Sequence, residues 1–301
     1  MKITAVIPTR NRPVDLVAAV DSVIAQTRQP DELMVVDQSP GAESKEKILA
    51  LHARTGNGLN LNYVHDPSIA GLIPAKAYAA THASGELVCF LEDDVVLEPG
   101  YIAAIERGFA DRPDMLGCSG VVTNLPPLAP FYNTLFHLFH RGVFRDRRVG
   151  VHGYDAGDDL IPSRQLSGGL SAWRREVFAA VPFDLENDLF MLEDIDYSTR
   201  AAAHFGDRFT INPRARLAHY LSPVNRDRLG ARQQRKLREY FVFYKKHRAA
   251  PGATPAFAWL LVGLALEATY QSVRAVRLSP LAGFVRGIVD GARWKLRGSA
   301  V

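Results

Sequence analysis

Cysteine is scarce, with two residues in a chain of 301, Cys89 and Cys118. Both fall in apolar, strand-like runs, which speaks against a disulfide framework or a cysteine-ligated zinc site and for buried, reduced thiols in a reducing compartment. Long apolar runs are lacking as well: the longest, residues 256–266, is too short to span a bilayer. No secretory leader opens the chain, because Met1-Lys2 runs straight into a strand and then meets Pro8. No Gly-x-Gly-x-x-Gly follows that strand, which argues against a dinucleotide-binding fold. Nothing in the balance of 23% charged and 47% apolar residues indicates disorder.

What is present is unevenly charged. Residues 226–301 hold fifteen Lys/Arg against four Asp/Glu, a net of +11, so the overall +4 leaves −7 for residues 1–225. Body and tail therefore serve different ends, and the chain reads as one α/β domain over 1–225 with a helical appendage over 226–301.

The body is organised around Leu87-Val88-Cys89-Phe90-Leu91, a strand buried on both faces that ends in Glu92-Asp93-Asp94. Adjacent acids repel one another unless a cation or hydrogen bonds offset their charge, and ligands of open α/β sheets sit at the carboxyl ends of strands. A divalent ion with hard oxygen ligands, Mg²⁺ or Mn²⁺, is the simplest account; a solvated turn capping the next helix is the bland one.

The same edge recurs along the chain. Ile3-Thr4-Ala5-Val6-Ile7 is a strand, residues 14–25 have helical spacing, and the polar loop Pro8-Thr9-Arg10-Asn11-Arg12-Pro13 joins them. Its hydroxyl, amide and guanidinium groups suit a nucleotide. The second strand, Leu33-Met34-Val35-Val36, ends in Asp37, an acid placed for a ribose or base donor, and the third, over 59–64, ends in His65-Asp66. A glycine turn at Gly71 leads into an alanine-rich helix, on which Lys76 faces a phosphate or snorkels to solvent. Strand and helix alternate through residue 122, which predicts a mainly parallel sheet covered on both faces. Right-handed crossovers put Asp37, Asp66 and Asp94 on one edge.

Residues 123–166 interrupt this pattern with Pro126-Pro127, an aromatic and histidine-rich stretch and a Gly/Asp-rich loop, a long insertion suited to a lid or an acceptor surface. His137, His140 and His152 have no cysteine nearby to make a zinc site. Beyond it, Gly168-Gly169 lets backbone approach a ligand, and Arg174-Arg175 is expected to open a helix. Glu193-Asp194 begins another helix, whose N-terminus favours an ionised carboxylate ready to accept a proton. A last short strand, over 208–211, is expected to stop at Pro213 before His219, a candidate metal ligand.

In this order the landmarks resemble the family 2 glycosyltransferases, the large inverting class with the GT-A fold, over roughly residues 1–225. Val6-Ile7-Pro8-Thr9-Arg10-Asn11-Arg12 is similar to that family's nucleotide-binding start, and Val35-Val36-Asp37 to its second-strand acid. Residues 70–77 resemble its glycine-plus-basic segment, with Lys76 where arginine is usual and Ala77 where asparagine is usual. Glu92-Asp93-Asp94 resembles its metal-binding Asp-x-Asp with glutamate in first place. The resemblance implies Asp94 as metal ligand, Glu92 acting on the sugar or through water, Gly168, Gly169 and Arg174 near donor and acceptor, and Asp194 as catalytic base.

The activity implied is metal-dependent, inverting transfer from a nucleotide-diphosphate sugar to a glycan or lipid-linked hydroxyl, with Mn²⁺ or Mg²⁺. A sugar nucleotidyltransferase is the rival enzyme, but it calls for a glycine-rich triphosphate loop and residues 8–13 contain no glycine. A non-catalytic glycan-binding protein is the other alternative. The cationic tail, with aromatic residues Tyr240, Phe241, Phe243 and Tyr244 and apolar stripes ending in bases, suits an anionic membrane surface, lying in its plane on a cytoplasmic leaflet. No nucleic-acid fold accompanies the charge.

Overall fold

A computed structural model describes residues 1–56, 58–124, 130–146, 148, 157–187, 189–224 and 227–297. Pro126-Pro127, His152, Arg226 and most of the expected Gly/Asp-rich loop lie outside these residues. The chain opens as β1 (Ile3–Thr9), α1 (Pro13–Ile24), β2 (Glu32–Asp37), α2 (Glu43–Thr55), β3 (Leu61–His65), α3 (Leu72–His82) and β4 (Leu87–Leu91). Next come β5 (Val95–Leu97), α4 (Tyr101–Asp111), β6 (Gly117–Val122), α5 (Pro130–Phe139), a 3₁₀ turn (Gly142–Phe144) and β7 (Ile161–Pro162). The last part holds β8 (Leu170–Arg174), α6 (Glu176–Ala180), α7 (Glu193–Phe205), β9 (Phe209–His219), α8 (Leu229–His247), α9 (Ala253–Ala275) and α10 (Ser279–Arg293).

Among the described residues the strands form one sheet of order β3-β2-β1-β4-β8-β6-β9-β5, with β7 added to β9. β1 pairs in parallel with β2 and β4, and β2 with β3, so Thr9, Asp37, Asp66 and the acids after β4 share the carboxyl edge. The other half of the sheet is mixed. β8 lies antiparallel between β4 and β6, a strand where the sequence suggested only a glycine turn and a helix start. β9 also differs from expectation: it runs through Pro213 to His219, because the register of its pairing with β6 shifts between Ser119 and Val121 and accommodates the imino acid.

Period-two alternation sorts the buried strands onto two apolar layers. Ile3, Ala5, Ile7, Leu33, Val35, Leu87 and Cys89 pack with α1, α2 and α4, while Val6, Met34, Val36, Val88 and Phe90 face α3, Trp173 and Tyr197. Both cysteines are free thiols inside this core, and burial pushes Cys89 up to about 12.

The chain divides into two compact units, Met1–Pro127 with Arg147–Phe183 and Tyr197–Val224, and Leu128–Asp146 with Asp184–Asp196 and Asn225–Val301. Two earlier segments, 128–146 and 184–196, group with the tail in the second unit. In the second unit α10 sits close on α8: a Cβ at Gly283 would lie 2.1 Å from the Gly230 carbonyl oxygen, and one at Gly287 2.5 Å from that of Gln234. Lys245 donates to the carbonyls of Gly291, Ala292 and Trp294 at the end of α10. α9 is long and apolar enough to cross a membrane by length and composition, since alanine, tyrosine and valine carry the pattern past Glu267 and beyond the 256–266 run.

Phe90 tests the core two residues before the acids. It is 2% exposed and meets Phe178 and Phe183 edge-on at 5.8 and 5.9 Å between centroids. Phe90→Ala is expected to cost about 3–5 kcal/mol of unfolding free energy in urea titrations.

Candidate active site

The site is assembled where β1 and β4 end. Thr9 closes β1 and donates its hydroxyl to Asp93 Oδ2 at 2.7 Å. Asn11 then turns the chain through φ 56°, its amide held by Ser39 Oγ at 2.8 Å, and this kink brings Arg12 back over the acids. Arg12 Nη1 donates to Asp93 Oδ1 at 2.7 Å and lies 3.6 Å from Asp94 Oδ2, while Nη2 reaches the Val224 carbonyl at 2.9 Å. Burial pushes the Asp93 carboxyl up to about 6, against the pull of Arg12 and Thr9. Asp93 is therefore a structural acid, engaged on both oxygens.

Asp94 and Glu92 converge on His219. Its Nε2 lies 3.0 Å from Glu92 Oε2 and 3.1 Å from Asp94 Oδ1, and one ligand atom from each of the three side chains falls within 4.8 Å of the others. The histidine is placed by backbone pairing, since β5 and β9 run antiparallel with Val95 opposite His219. The turn beyond it folds back through Leu221 at φ 43°, so that the Tyr220 amide meets the Asp94 carbonyl at 2.9 Å and the Ser222 amide meets Asp94 Oδ2 at 2.8 Å. A non-glycine residue at that φ costs about 1–3 kcal/mol, and the two contacts to Asp94 help to hold it. Burial alone would raise the Asp94 carboxyl, yet hydrogen bonds from His219 and Ser222 hold it below the usual range. Burial opposes charge on His219 too, but Asp94 and Glu92 raise it to about 9.

Gly169 makes room for this arrangement. A Cβ there would stand 2.2 Å from Glu92 Cγ, and the Glu92 amide donates to the Gly169 carbonyl at 3.0 Å. Gly168 is held from behind by Lys76, which is 3% exposed and donates from Nζ to its carbonyl at 3.0 Å, with the ammonium 5.6 Å from the Phe90 ring centroid. Lys76 thus neither snorkels nor reaches out along the helix; it supports the glycine turn.

Farther along the edge, Asp37 is fully buried and accepts from Tyr63 Oη at 2.7 Å and from the Ser39 amide at 2.9 Å. Asp66 makes a local turn with Ser68 and is held below its ordinary range by that hydroxyl. Gly71, at φ 116°, gives its amide to Gln38 Oε1 at 2.7 Å at the start of α3. Pro8 is buried in β1 and Arg10 is exposed on the loop that follows. Arg174 requires a correction. Because β8 runs antiparallel to β4, Gly169 meets the acidic edge and Arg174 is opposite Leu87, at the other end of the strand. There it donates to the carbonyls of Met115 and Pro113 and lies over the Phe109 ring. Asp194 stands in the first turn of α7, half-buried, beside the buried Glu193 and within the second unit's segment 184–196.

Glu92, assigned by resemblance to the sugar, is grouped by geometry with the metal-type donors. Ser222 and Tyr63 carry no signal in the sequence: their roles arise from a backbone amide and from register between β2 and β3. The imidazolium at 219 makes stability pH-dependent in the metal-free protein. Its folded value is above the unfolded value of about 6.5, so its contribution is complete below that pH and is lost as pH rises through about 9. Urea titrations across this window should show wild type converging on His219→Gln as pH rises.

Comparison with known proteins agrees with this architecture. A protein of Escherichia coli strain K12 named for glycosyl transfer in colanic acid biosynthesis, WcaA, is 22% identical over 255 residues, covering 82% of this chain and 81% of its own. A mannosyltransferase from Pyrobaculum calidifontis, solved with GDP-Man and Mn²⁺, superposes with a TM-score of 0.60 at 19% identity, over 97% of this chain and 87% of that one. S. aureus TarS 1–349 in complex with UDP-GlcNAc gives 0.62 at 15% identity, over 97% and 80%. These structural likenesses show a GT-A fold. The family model for glycosyl transferase family 2 matches residues 4–178, more than half of the sequence, and the chain is a member of that glycosyltransferase family.

Proposed function

We propose that this glycosyltransferase moves a sugar from a nucleotide-diphosphate sugar to a hydroxyl of a glycan or lipid-linked acceptor, with inversion and with a divalent cation. The observation that carries this reading is the convergence of Glu92, Asp94 and His219 at the carboxyl edge of the sheet. Two carboxylate oxygens and one imidazole nitrogen are a donor set that suits Mn²⁺ or Mg²⁺, the nitrogen favouring Mn²⁺. When bound, such an ion supplies Lewis-acid stabilisation of the diphosphate leaving group. The Mn²⁺ and nucleotide sugars carried by the structural neighbours support the same reading.

The remaining roles belong to the protein. Thr9 and Arg12 hold Asp93, and so keep the turn that bears Asp94 in place. Pro8, Arg10, Asp37, Asp66 and Gly71 belong to the nucleotide-binding edge, and Lys76 supports that edge from behind through the Gly168 carbonyl. Gly168 and Gly169 let backbone lie close to the sugar. Asp194, at a helix start, accepts the proton of the acceptor hydroxyl as its oxygen bonds to the anomeric carbon. The bond from that carbon to the diphosphate oxygen breaks with its electron pair leaving on the diphosphate, and one displacement inverts the configuration.

The second unit gives a reason to place the reaction at a membrane. Along α9, Trp259, Val262, Leu266, Tyr270 and Val273 form an exposed apolar stripe, and Phe131, Tyr132, Leu135 and Leu138 do so on α5. Arg274, Arg277 and Arg286 are exposed at its end and on α10. The opposite face of α9 is packed, and Glu267 is ion-paired to Lys236 at 2.6 Å, which favours a helix lying in the plane of an anionic cytoplasmic leaflet over one crossing it.

A thermal-shift panel of UDP-Gal, UDP-GlcNAc and GDP-Man, with and without Mn²⁺, should single out the donor, because a ligand at 100 times its Kd adds about 2.7 kcal/mol. With that donor, Asp94→Asn and Asp194→Asn are expected to abolish transfer, the second at unchanged nucleotide affinity; wild-type yield from either would overturn its assignment. For the membrane, Leu266→Asp with Val273→Asp should lower binding to vesicles containing phosphatidylserine by about tenfold or more, since each buried aliphatic side chain is worth about 1.5–3 kcal/mol.

A further inference from the structure

The acid proposed as the base lies on a segment, 184–196, that is fastened to α8 at several points within one unit. Glu239, fully buried on α8, accepts the amides of Met191 at 2.6 Å and Leu192 at 3.3 Å on Oε2. A glutamate in the middle of a helix, with no exposed surface, is costly to bury unless its charge meets donors. Here the donors are backbone amides of the turn that leads into α7, and the positive charge of Arg238 nearby also favours the carboxylate. Four residues after Leu192, Asp196 is 2% exposed and receives Lys246 Nζ at 2.8 Å and His247 Nε2 at 2.9 Å, both from the end of α8. The same ammonium also grips Asp184, at the start of the segment. Arg235 lies over the Phe190 ring at 5.3 Å.

Asp194 therefore stands midway between two anchors, Leu192 and Asp196, and both are set by α8. Neither anchor touches the reacting atoms. We propose that Glu239 and Lys246 are positioning residues for Asp194, and that α8 works in the transfer reaction by fixing the backbone on both sides of the base. This rests on the reading of Asp194 as the base. The cationic tail then has a part in turnover separate from any role at a lipid surface.

Truncating Glu239 frees the amides of 191 and 192, whereas glutamine keeps a carbonyl oxygen to accept them. A displacement of about 1 Å in a reacting group is enough to cost on the order of 100-fold in rate. The test uses the full chain and the donor selected by the thermal-shift panel. Glu239→Ala should lower kcat on the order of 100-fold while the KM for the nucleotide sugar stays within about threefold, and Glu239→Gln should recover most of kcat. Hydrogen exchange of the metal-free chain should show residues 190–196 losing protection in Glu239→Ala while α10 keeps it. If Glu239→Ala does not fold, Lys246→Met against Lys246→Arg asks the same question at the second anchor. Wild-type kcat in a truncated variant, with Asp194→Asn inactive, would remove the positioning role and leave the base reading intact. An active Asp194→Asn would remove the base reading itself.

Discussion

Mutual repulsion among Glu92, Asp93 and Asp94 is the constraint around which the first unit is built. Three carboxylates follow one another at the end of a central strand, two of them about 5% exposed, and each needs its charge answered. The fold answers them separately. Asp93 is answered by Thr9 and Arg12 from the first β-to-α loop; Asp94 is answered by His219 and by the Ser222 amide, 128 residues downstream. Glu92 shares the histidine with Asp94 and stays the most exposed of the three side chains, at 40%. The left-handed residues Asn11 and Leu221 belong to the two loops that bring these groups in, so backbone strain collects where the charge is.

Distribution of the charge also separates the roles. One acid is tied on both oxygens and serves as scaffold. The other two keep lone pairs directed at a common point, with an imidazole whose ring nitrogen takes a proton in the absence of a cation. On the metal-dependent reading proposed above, a proton and a divalent ion would compete for that point, which would link occupancy to pH.

Much of this was legible in the sequence, and the reason is local. The strand-helix alternation of residues 1–122 and the acids closing β2, β3 and β4 depend on periodicity and chain direction alone, and a parallel sheet then requires a shared edge. The errors came where position depends on pairing between distant segments. The sequence of β8 contains one charge at its end and nothing to say that it runs antiparallel, so sequence order alone puts Arg174 on the edge that Gly169 occupies. Pro213 reads as a strand terminator, although β9 bulges between Ile211 and Arg216 and makes room for it. Lys76 reads as facing a phosphate or snorkelling from its helix, although its ammonium finds a carbonyl inside. Tyr63 and Ser222 contribute through register and backbone, properties that residue type does not carry. In the tail, helix and charge were evident, whereas the fastening of segment 184–196 to α8 was not, since it joins residues about 50 apart.

His219 is a residue of a β-ladder and is not carried on a loop. Its partner is Val95, the first residue after the acids, so one antiparallel pair links the strand that follows the carboxylates to the strand that delivers the imidazole. A one-residue insertion or deletion that shifts the β9 register at 219 would swap inward and outward faces and carry the ring away, while a replacement at 219 itself leaves the ladder unchanged. The donor set at this point can therefore be altered by exchanging a single side chain, with the spacing of the other groups preserved by main-chain hydrogen bonds.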